Sequence, residues 1–223
     1  MLLVIAALAF PLAGVAAQSP WTLESVLQQL NRAAREFQSL TADVERTKVT
    51  VVVNDRSTES GQMEVRRDDK MRIDLTAPTP RTILRDGDHL YIYNPKIRRV
   101  EEYDLGKHRA LVDQFLLLGF GTSGDALKKG YLLTFMKEET LGTQKVIRLE
   151  LTPKADSVRG QISRIELWID EATWLPAQQQ FYEAGSSDYL IIRYTRVTKN
   201  PRIPDSRFRP RWPSGVTKVK PGD

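Results

Sequence analysis

The sequence predicts an α+β domain in which one amphipathic helix is followed by a meander of antiparallel strands. Two observations support this class. Hydrophobic residues first recur at steps of three and four and then change to a period of two, which are the repeats of helices and of strands. Turn-forming pairs then follow at short intervals, as they do where hairpins join consecutive strands. These pairs include Ser60-Gly61, Asp86-Gly87 and Asn94-Pro95.

The first 17 residues have the pattern of a cleaved export signal. They carry no charge, are apolar from Leu2 to Leu12 and end in the small residues Val15-Ala16-Ala17. The alternative is an uncleaved anchor, but Pro11 and Gly14 interrupt a stretch shorter than the roughly 20 apolar residues that span a bilayer. We therefore expect residues 1–17 to be a signal peptide. Residues 18–223 are expected to form a single domain, since cores usually divide only beyond about 250 residues.

An amphipathic helix is predicted from Trp21 to Leu40. Thr22 is placed to cap its first turn, and Glu24 carries the negative charge that a helix N-terminus favours. The apolar face is formed by residues at steps of three and four, namely Leu23, Val26, Leu27, Leu30, Ala34 and Phe37.

Strands with one buried face follow this helix. Apolar and polar residues alternate over residues 49–54 and again over residues 70–75, where Met71, Ile73 and Leu75 share a face. Asp86-Gly87-Asp88 then separates two apolar runs. This is a strong hairpin signal, because Gly accepts a positive φ without steric cost.

The alternation is interrupted between residues 107 and 129. Apolar residues are too closely spaced there for an amphipathic strand and end at Gly119 and Gly121. We predict a short, very apolar helix, followed by a second helix over residues 125–129. The apolar residues of the first are Leu111, Val112, Phe115, Leu116, Leu117, Leu118 and Phe120.

Strands return in the last third of the chain. On the third of them Ser163, Ile165, Leu167 and Ile169 share one face. The tail from Lys199 is rich in Pro and Arg, and either an extended linker or a last strand near residues 215–219 fits this composition. The predicted strands are residues 131–136, 145–152, 162–170, 175–182 and 189–197.

The composition narrows the possible function classes. The absence of Cys excludes disulfides, thiolate nucleophiles and Cys-ligated metals. A net charge of +5 suits anionic surfaces. Nucleic acid is the other usual partner of a basic chain, but an exported protein rarely meets it, so we expect no nucleic-acid partner.

Little in the sequence indicates catalysis. Only His89 and His108 are present, and each has the surroundings of a surface residue. Adjacent carboxylates such as Glu101 and Glu102 point to opposite faces of a strand and cannot share a proton or a metal. We expect no enzyme activity, no metal and no cofactor. A hydrolase that uses His89 or an acidic pair is the less favoured alternative.

The run GQMEVRRDDKMRIDLTAPTPRTILRDGDHLYIYNP, from Gly61 to Pro95, resembles the outer-membrane lipoprotein carrier family, the LolA-type periplasmic chaperones. The family shows a Gly-led strand ending in Arg, a strand closing in T-x-P, a D-G hairpin and an aromatic strand ending in Y-x-P. Residues 37–47, FQSLTADVERT, are similar to the family's first helix and strand. The tail segment FRPRWPSGVTKVK is similar to its closing F-x-P-x-x-G-V segment.

The resemblance implies an unclosed, strongly bent antiparallel sheet, a half-barrel, whose concave apolar face is covered by the N-terminal helix and short lid helices. It also implies that Arg67 holds the lid through hydrogen bonds to lid backbone carbonyls, a role that suits the several donors of a guanidinium. In the family Pro usually follows this Arg. Here Asp68 follows and is able to pair with Arg67. The implied lid residues are Leu111, Val112, Phe115, Leu116 and Leu118.

The resemblance further implies a periplasmic carrier that binds the acyl chains of lipoproteins in a hydrophobic cavity and transfers them toward the outer membrane. Expected partners are acylated lipoproteins or lipids, an inner-membrane release complex and an outer-membrane acceptor, and we expect a monomer. A lipid-binding or lipoprotein-sensing module of the same fold is the alternative.

The expected cavity residues are equally compatible with an ordinary core. Periodicity shows which side of a strand is apolar but not whether that side is filled. The residues are Met71, Ile73, Leu75, Tyr91, Tyr93, Leu149, Ile165 and Leu167.

Overall fold

The computed structural model describes residues 20–106 and 118–221. In these residues one sheet contains twelve strands in the order β12-β6-β5-β4-β3-β2-β1-β11-β10-β9-β8-β7. All neighbours are antiparallel except β12, which runs parallel to β6. In the described residues no pairing joins the two end strands, β12 and β7, so the curved sheet is unclosed. The predicted half-barrel with an N-terminal helix is confirmed.

The bounds of the elements are as follows. The helices are α1 (Leu23–Glu36), α2 (Gly124–Gly130), α3 (Asp156–Arg159) and a 3₁₀ helix (Asp205–Phe208). The strands are β1 (Ser39–Thr50), β2 (Asp55–Arg66), β3 (Lys70–Ala77), β4 (Arg81–Asp86), β5 (His89–Asn94), β6 (Arg99–Asp104), β7 (Tyr131–Leu141), β8 (Gln144–Pro153), β9 (Ile162–Asp170), β10 (Pro176–Glu183), β11 (Tyr189–Lys199) and β12 (Thr217–Val219).

The first helix has the predicted N-cap, Thr22, so it starts at Leu23 rather than Trp21, and it ends at Glu36, four residues before the predicted end. The Thr22 hydroxyl accepts a hydrogen bond from the backbone N–H of Ser25 at 3.2 Å, and the Ser25 hydroxyl accepts one from the Thr22 N–H at 2.9 Å. This reciprocal pair satisfies two N–H groups that a helix start leaves unbonded. Phe37 ends the helix with extended backbone, and Leu40 already pairs with β2 and β11. The predicted extension of the helix to Leu40 was wrong because Leu40 fits both the helical step of three from Phe37 and the strand period of two that continues at Ala42 and Val44.

The predicted strand over residues 49–54 is interrupted by a turn. Strand β1 ends at Thr50, and Val51 to Asn54 reverse the chain into β2. The Asn54 N–H donates to the Val51 carbonyl at 3.1 Å, and Asn54 has a φ of 48°, in the left-handed region that Asn tolerates. Alternating valines predicted a strand here, because β-branched residues favour strands and are uncommon in turns.

A glycine allows the sheet to bend between β2 and β3. The pairing register shifts between Ser60 and Gly61, and a Cβ at position 61 would lie 2.1 Å from the Asp74 carbonyl oxygen. Such an approach is possible only without a side chain. This close approach explains why a glycine stands at position 61, at the start of the run that resembles the family.

The tail crosses the outer face of the sheet. Ile203 and Phe208 are buried against Leu84, and Trp212 packs on Tyr91 and Tyr93 with ring centroids 6.1 and 5.0 Å away. The chain then pairs with β6 as β12. Of the two predictions for the tail, the final strand is confirmed, and the second predicted helix is present as α2.

Candidate functional site

A cavity of about 280 Å³ lies on the concave face of the sheet. Most of its lining is apolar and comes from strands β1 to β4 and β9 to β11. We call it the concave cavity. Its lining residues are Val44, Arg46, Met63, Ile73, Ile83, Ile162, Gln179, Phe181, Glu183, Leu190, Ile192 and Tyr194.

The pairing register places these side chains on one face. Ile73 lies opposite Met63 on one side and Ile83 on the other. Met71 and Leu75, two residues away along β3, share this face because alternate residues of a strand point the same way. They are buried in the neighbouring core and do not line the cavity. Of the predicted β3 residues, the structure places only Ile73 at the cavity surface.

Three further predicted residues lie on the same face under the first helix. Leu149 is opposite Leu167, and Ile165 lies two residues before Leu167 on β9. All three are completely buried, in a cluster that includes Val26, Leu27 and Leu30 of α1. The helix fills this part of the hollow, so these residues form core in the observed conformation.

Tyr91 and Tyr93 lie on the opposite face and correct the predicted cavity set. Tyr91 is opposite Leu84, and Leu84 is opposite Arg72, a residue on the outer side of β3. Both tyrosines pack under Trp212 of the tail. Strand β5 is apolar on both faces, because Leu90 and Ile92 alternate with the tyrosines, so its sequence alone did not identify the inner face.

Two buried polar residues at one end of the cavity were not predicted. The Gln179 side chain, 2% exposed, donates from Nε2 to the Leu118 carbonyl at 2.6 Å. The Tyr194 hydroxyl donates to Gln179 Oε1 at 2.8 Å, and burial raises the pKa of Tyr194 above its ordinary value. The sequence signal for this site is a polar residue at an inward strand position, Gln179 in the run Gln178-Gln179-Gln180. Its partner Leu118 is 61 residues away, so the sequence does not indicate the contact.

This pair fixes the segment that follows residue 117. Leu118 is 1% exposed in the core under α1, and Phe120 meets the ring of Tyr194 edge-on with centroids 4.9 Å apart. A Cβ at Gly121 would lie 2.5 Å from the Phe37 ring. Buried hydrogen bonds and close packing thus hold the described end of the predicted lid. Leu111, Val112, Phe115 and Leu116 lie outside the described residues.

Arg67 lies in the turn after β2, and its described contacts are to the end of α1. Its Nη1 donates to the carbonyls of Arg35 and Phe37, at 3.1 and 3.4 Å. It also lines a second hollow of about 490 Å³ together with Phe37, Leu118 and Phe120. The fold therefore places Arg67, the expected lid-holding residue, and Leu118, an expected lid residue, in the lining of the same hollow. The lid-holding role of Arg67 stays a prediction.

Asp68 pairs with Arg66. The two carboxylate oxygens accept from Arg66 Nε at 2.6 Å and Nη2 at 2.7 Å. This fork geometry is the strongest form of an ion pair, and the hydrogen bonds from Arg66 hold the pKa of Asp68 below its ordinary value. The sequence allows Asp68 to pair with Arg67, but in the structure its carboxylate binds the neighbouring Arg66.

Charged side chains lie at the opposite end of the cavity from Gln179. Arg46 and Arg81 both bind the Glu59 carboxylate, at distances from 2.7 to 2.9 Å. Burial lowers the pKa of Arg46, and the charge of Arg81 acts in the same direction. Lys48 forms an ion pair with Glu183 nearby. The cavity thus combines an apolar interior with a charged end, an arrangement suited to an amphipathic ligand.

The described residues contain few elements of catalytic chemistry. Among them, no cluster of three or more His, Asp or Glu side chains is arranged to hold a metal. His89 is half exposed, with Nδ1 3.6 Å from Glu102 Oε1, and His108 lies outside the described residues. No helix in the described ranges has the length and hydrophobicity needed to cross a bilayer.

Comparison with known proteins agrees with this architecture. The family model "Outer membrane lipoprotein carrier protein LolA" matches residues 35–211. Outer-membrane lipoprotein carrier proteins of Dechloromonas aromatica (strain RCB) and Methylobacillus flagellatus (strain ATCC 51484 / DSM 6875 / VKM B-1610 / KT) are 24% and 22% identical. The first alignment covers 72% of this chain and 71% of the relative, and the second covers 92% and 94%.

The fold is also found in a solved structure with very little sequence identity. The crystal structure of an uncharacterised conserved protein from Thermus thermophilus is 9% identical to this chain. It superposes with a TM-score of 0.58, covering 88% of this chain and 98% of that protein. The family model spans well over half of the sequence. The chain therefore belongs to the LolA family of outer membrane lipoprotein carrier proteins.

Proposed function

We propose that this protein is a periplasmic carrier that binds the acyl chains of lipoproteins in its concave cavity and transfers them toward the outer membrane. In this proposal residues 1–17 direct export, and the protein acts as a monomer without cofactor or enzyme activity. The observation that supports it best is the apolar cavity on the inner face of an unclosed sheet, in a chain that belongs to a lipoprotein carrier family.

The size of the cavity supports a mechanism in which cargo displaces protein side chains. About 280 Å³ is close to the lower limit of roughly 300 Å³ for small-molecule sites. Three acyl chains of roughly 16 carbons would need far more room, so the hollow has to enlarge. We propose that Leu111, Val112, Phe115, Leu116 and Leu118 cover the empty cavity and that Arg67 holds this cover. Cargo then moves the cover aside.

The free energy of burying acyl chains also indicates that binding has to include an unfavourable contribution. Burying three such chains represents about 40 kcal/mol of gross transfer free energy. Non-covalent affinities saturate at about 20 kcal/mol, so a reversible carrier has to lose much of the gain. Displacement of packed side chains and incomplete burial of the chains account for this loss. Release to an outer-membrane acceptor then needs only a tighter site on that acceptor.

The experiment that tests this function fills the cavity. We expect Ile83→Trp, at a half-buried lining position, to weaken binding of a fluorescent fatty acid at least tenfold. Ile97→Trp is the matched control, because Ile97 is 60% exposed on the β5–β6 turn, and its binding should equal that of the wild type. Equal binding by both variants would contradict the assignment of the cavity.

A second measurement separates a carrier from a lipid-binding or sensing module. The wild-type protein is incubated with inner membranes that contain the lipoprotein release machinery, and soluble lipoprotein complexes are quantified. A carrier accumulates such complexes and passes the lipoprotein to outer membranes. A protein that binds the fatty acid and yields no lipoprotein complex is a binding module of the same fold.

The proposed role of Arg67 has its own variant in the same assay. Arg67→Leu should change lipoprotein uptake or onward transfer, since a held cover controls both steps. Arg66→Leu, one residue earlier, is a useful comparison because the described partners of Arg66 are Asp68 and the tail residues Ile203, Asp205 and Phe208, and not the end of α1. If Arg67→Leu leaves uptake and transfer unchanged, Arg67 does not hold the cover.

A further inference from the structure

The β1–β2 turn exposes three consecutive branched aliphatic side chains. Val51, Val52 and Val53 are 43%, 88% and 69% exposed. Turns normally carry Gly, Asn, Asp or Pro, because these residues suit the backbone angles and interact well with water. Valine at the central positions favours neither the turn nor solubility. Local structure therefore does not explain this sequence.

The turn is held in place and projects from the sheet. The Val51 N–H donates to Asp188 Oδ1 at 2.9 Å, which attaches it to the neighbouring β10–β11 turn. In the described part of the chain the β2–β3 ladder begins at Ser60, so residues 55–59 of β2 extend past β3 while paired with β1. Five residues of strand correspond to about 16 Å. The valines are thus presented on a convex tip that extends past β3 and lies beside the β10–β11 turn.

The tip lies at the charged end of the concave cavity. Arg46 and Leu190 line the cavity, and Lys48, two residues beyond Arg46, pairs with Leu190. Val49 pairs with Tyr189, and the turn follows directly after Thr50. A surface that accepts the valines would therefore lie next to the end of the cavity where polar groups of a ligand would be placed.

We propose that Val51, Val52 and Val53 form a membrane-docking tip that inserts into the interface of a phospholipid bilayer. A convex tip fits between lipid headgroups, where aliphatic side chains are favourably buried. The polar residues that flank it, Thr50, Asn54 and Asp55, suit the headgroup layer. This inference rests on the proposed function, because docking at this end brings the cavity close to lipid-anchored cargo.

The charges around the tip define the kind of membrane contact. Asp55 and Asp188 are balanced only in part by Arg56, so the tip has no positive excess that would attract anionic lipid. Binding through the tip is therefore hydrophobic. It should occur on neutral phosphatidylcholine and persist at high salt, whereas attraction by the overall charge of +5 needs anionic lipid and weakens with salt.

The test is flotation of the exported protein, residues 18–223, with vesicles of phosphatidylcholine in 0.5 M salt, a concentration at which the Debye length falls to roughly 4–5 Å. The tip variant combines Val51→Ser, Val52→Ser and Val53→Ser. The control combines Ile97→Ser and Leu132→Ser, which remove two residues that are each 60% exposed elsewhere. We expect the tip variant to partition about tenfold less than wild type, given the apolar area it loses, and the control to change less than about twofold.

A fluorescent variant tests the depth of insertion. Val52→Trp should show a blue-shifted emission when neutral vesicles are added, because the indole leaves water. No binding of the wild type to neutral vesicles, equal binding of the tip variant, or an unshifted tryptophan each overturn the docking tip. Loss of lipoprotein transfer in the tip variant without vesicle binding by the wild type overturns it as well and indicates a protein partner.

Failure of this proposal can be distinguished from failure of the proposed function. Fatty-acid binding is measured for wild type and tip variant in the absence of vesicles, where the tip has no role. Equal binding by the two proteins shows that the cavity works while the vesicle experiment decides the tip. Absence of fatty-acid binding by the wild type contradicts the proposed function, whatever the vesicles show.

Discussion

The two halves of the concave face differ in what covers them. Under α1, Leu149, Leu151, Ile165 and Leu167 are completely buried. Farther along the same face Ile83, Leu190 and Ile192 are only partly buried and line the concave cavity. The strands and the residue types are alike, so the difference arises from the covering element. The capped helix α1 packs on the first half and makes it core, whereas α1 does not reach the lining of the cavity in the second half.

The largest effect should come from truncating the covered half. Leu149→Ala removes a fully buried side chain and should lower the free energy of unfolding by about 2–5 kcal/mol. Ile83→Ala, in the cavity half, should cost about 1 kcal/mol, because its side chain is already partly exposed and can lose less. Urea unfolding of the two variants measures this contrast. Equal losses would mean that the two halves are packed alike.

An intermediate effect is expected where the two halves meet. Gln179→Leu keeps the side-chain volume but leaves the Leu118 carbonyl and the Tyr194 hydroxyl without their partner. We expect a loss of about 1–3 kcal/mol in the free energy of unfolding, together with faster entry of a fluorescent fatty acid. Tyr194→Phe removes one of the two hydrogen bonds and should show a smaller change. Unaltered entry rates would indicate that this pair only stabilises the fold.

The smallest effect should appear on the outer face, away from both halves. Asp74 is partly buried, which by itself would raise its pKa, but hydrogen bonds from Arg72 and Thr82 hold the pKa below its ordinary value. A carboxylate with a lowered folded-state pKa stabilises the protein above its unfolded pKa of about 3.9 and loses this contribution as the pH falls below it.

Replacing this carboxylate should flatten the acid response without affecting ligand binding. Asp74→Asn lowers stability at neutral pH, and its unfolding midpoint should change less than that of the wild type between about pH 5 and pH 3. Thermal unfolding across this range measures the difference. A parallel decline of both proteins would show that Asp74 contributes little to acid sensitivity.

Periodicity located most of the elements but not the site. The capped start of α1, the strand around Ile73 and the Asp86-Gly87 hairpin were predictable because each depends on local chemistry. The division of one apolar face into core and cavity depends on where α1 packs, which no strand sequence encodes. For the same reason Met71, Leu75 and Leu149 could not be distinguished from Ile73.

The residues missed or misplaced each have a physical reason. Gln179 acts through a carbonyl distant in sequence, and its role is visible only once the chain is folded. Tyr91 and Tyr93 lie on a strand with two apolar faces, one of which packs against the tail. The turn valines predict a strand because the β propensity of valine outweighs the weak turn signal of Asn54-Asp55. For Gln179 and the two tyrosines a tertiary contact decides the outcome, and for the valines a local turn does.

The path of the tail has a mechanical consequence for cargo entry. Residues 200–219 run from the end of β11 across the backs of β3 and β4 to the free edge of β6, and Phe208 and Trp212 attach them on the way. Flattening the sheet behind the concave cavity would stretch this strap and detach its aromatic residues. The tail therefore opposes flattening of that half, and under the proposed function room for a ligand has to come from movement of side chains and cover on the inner face.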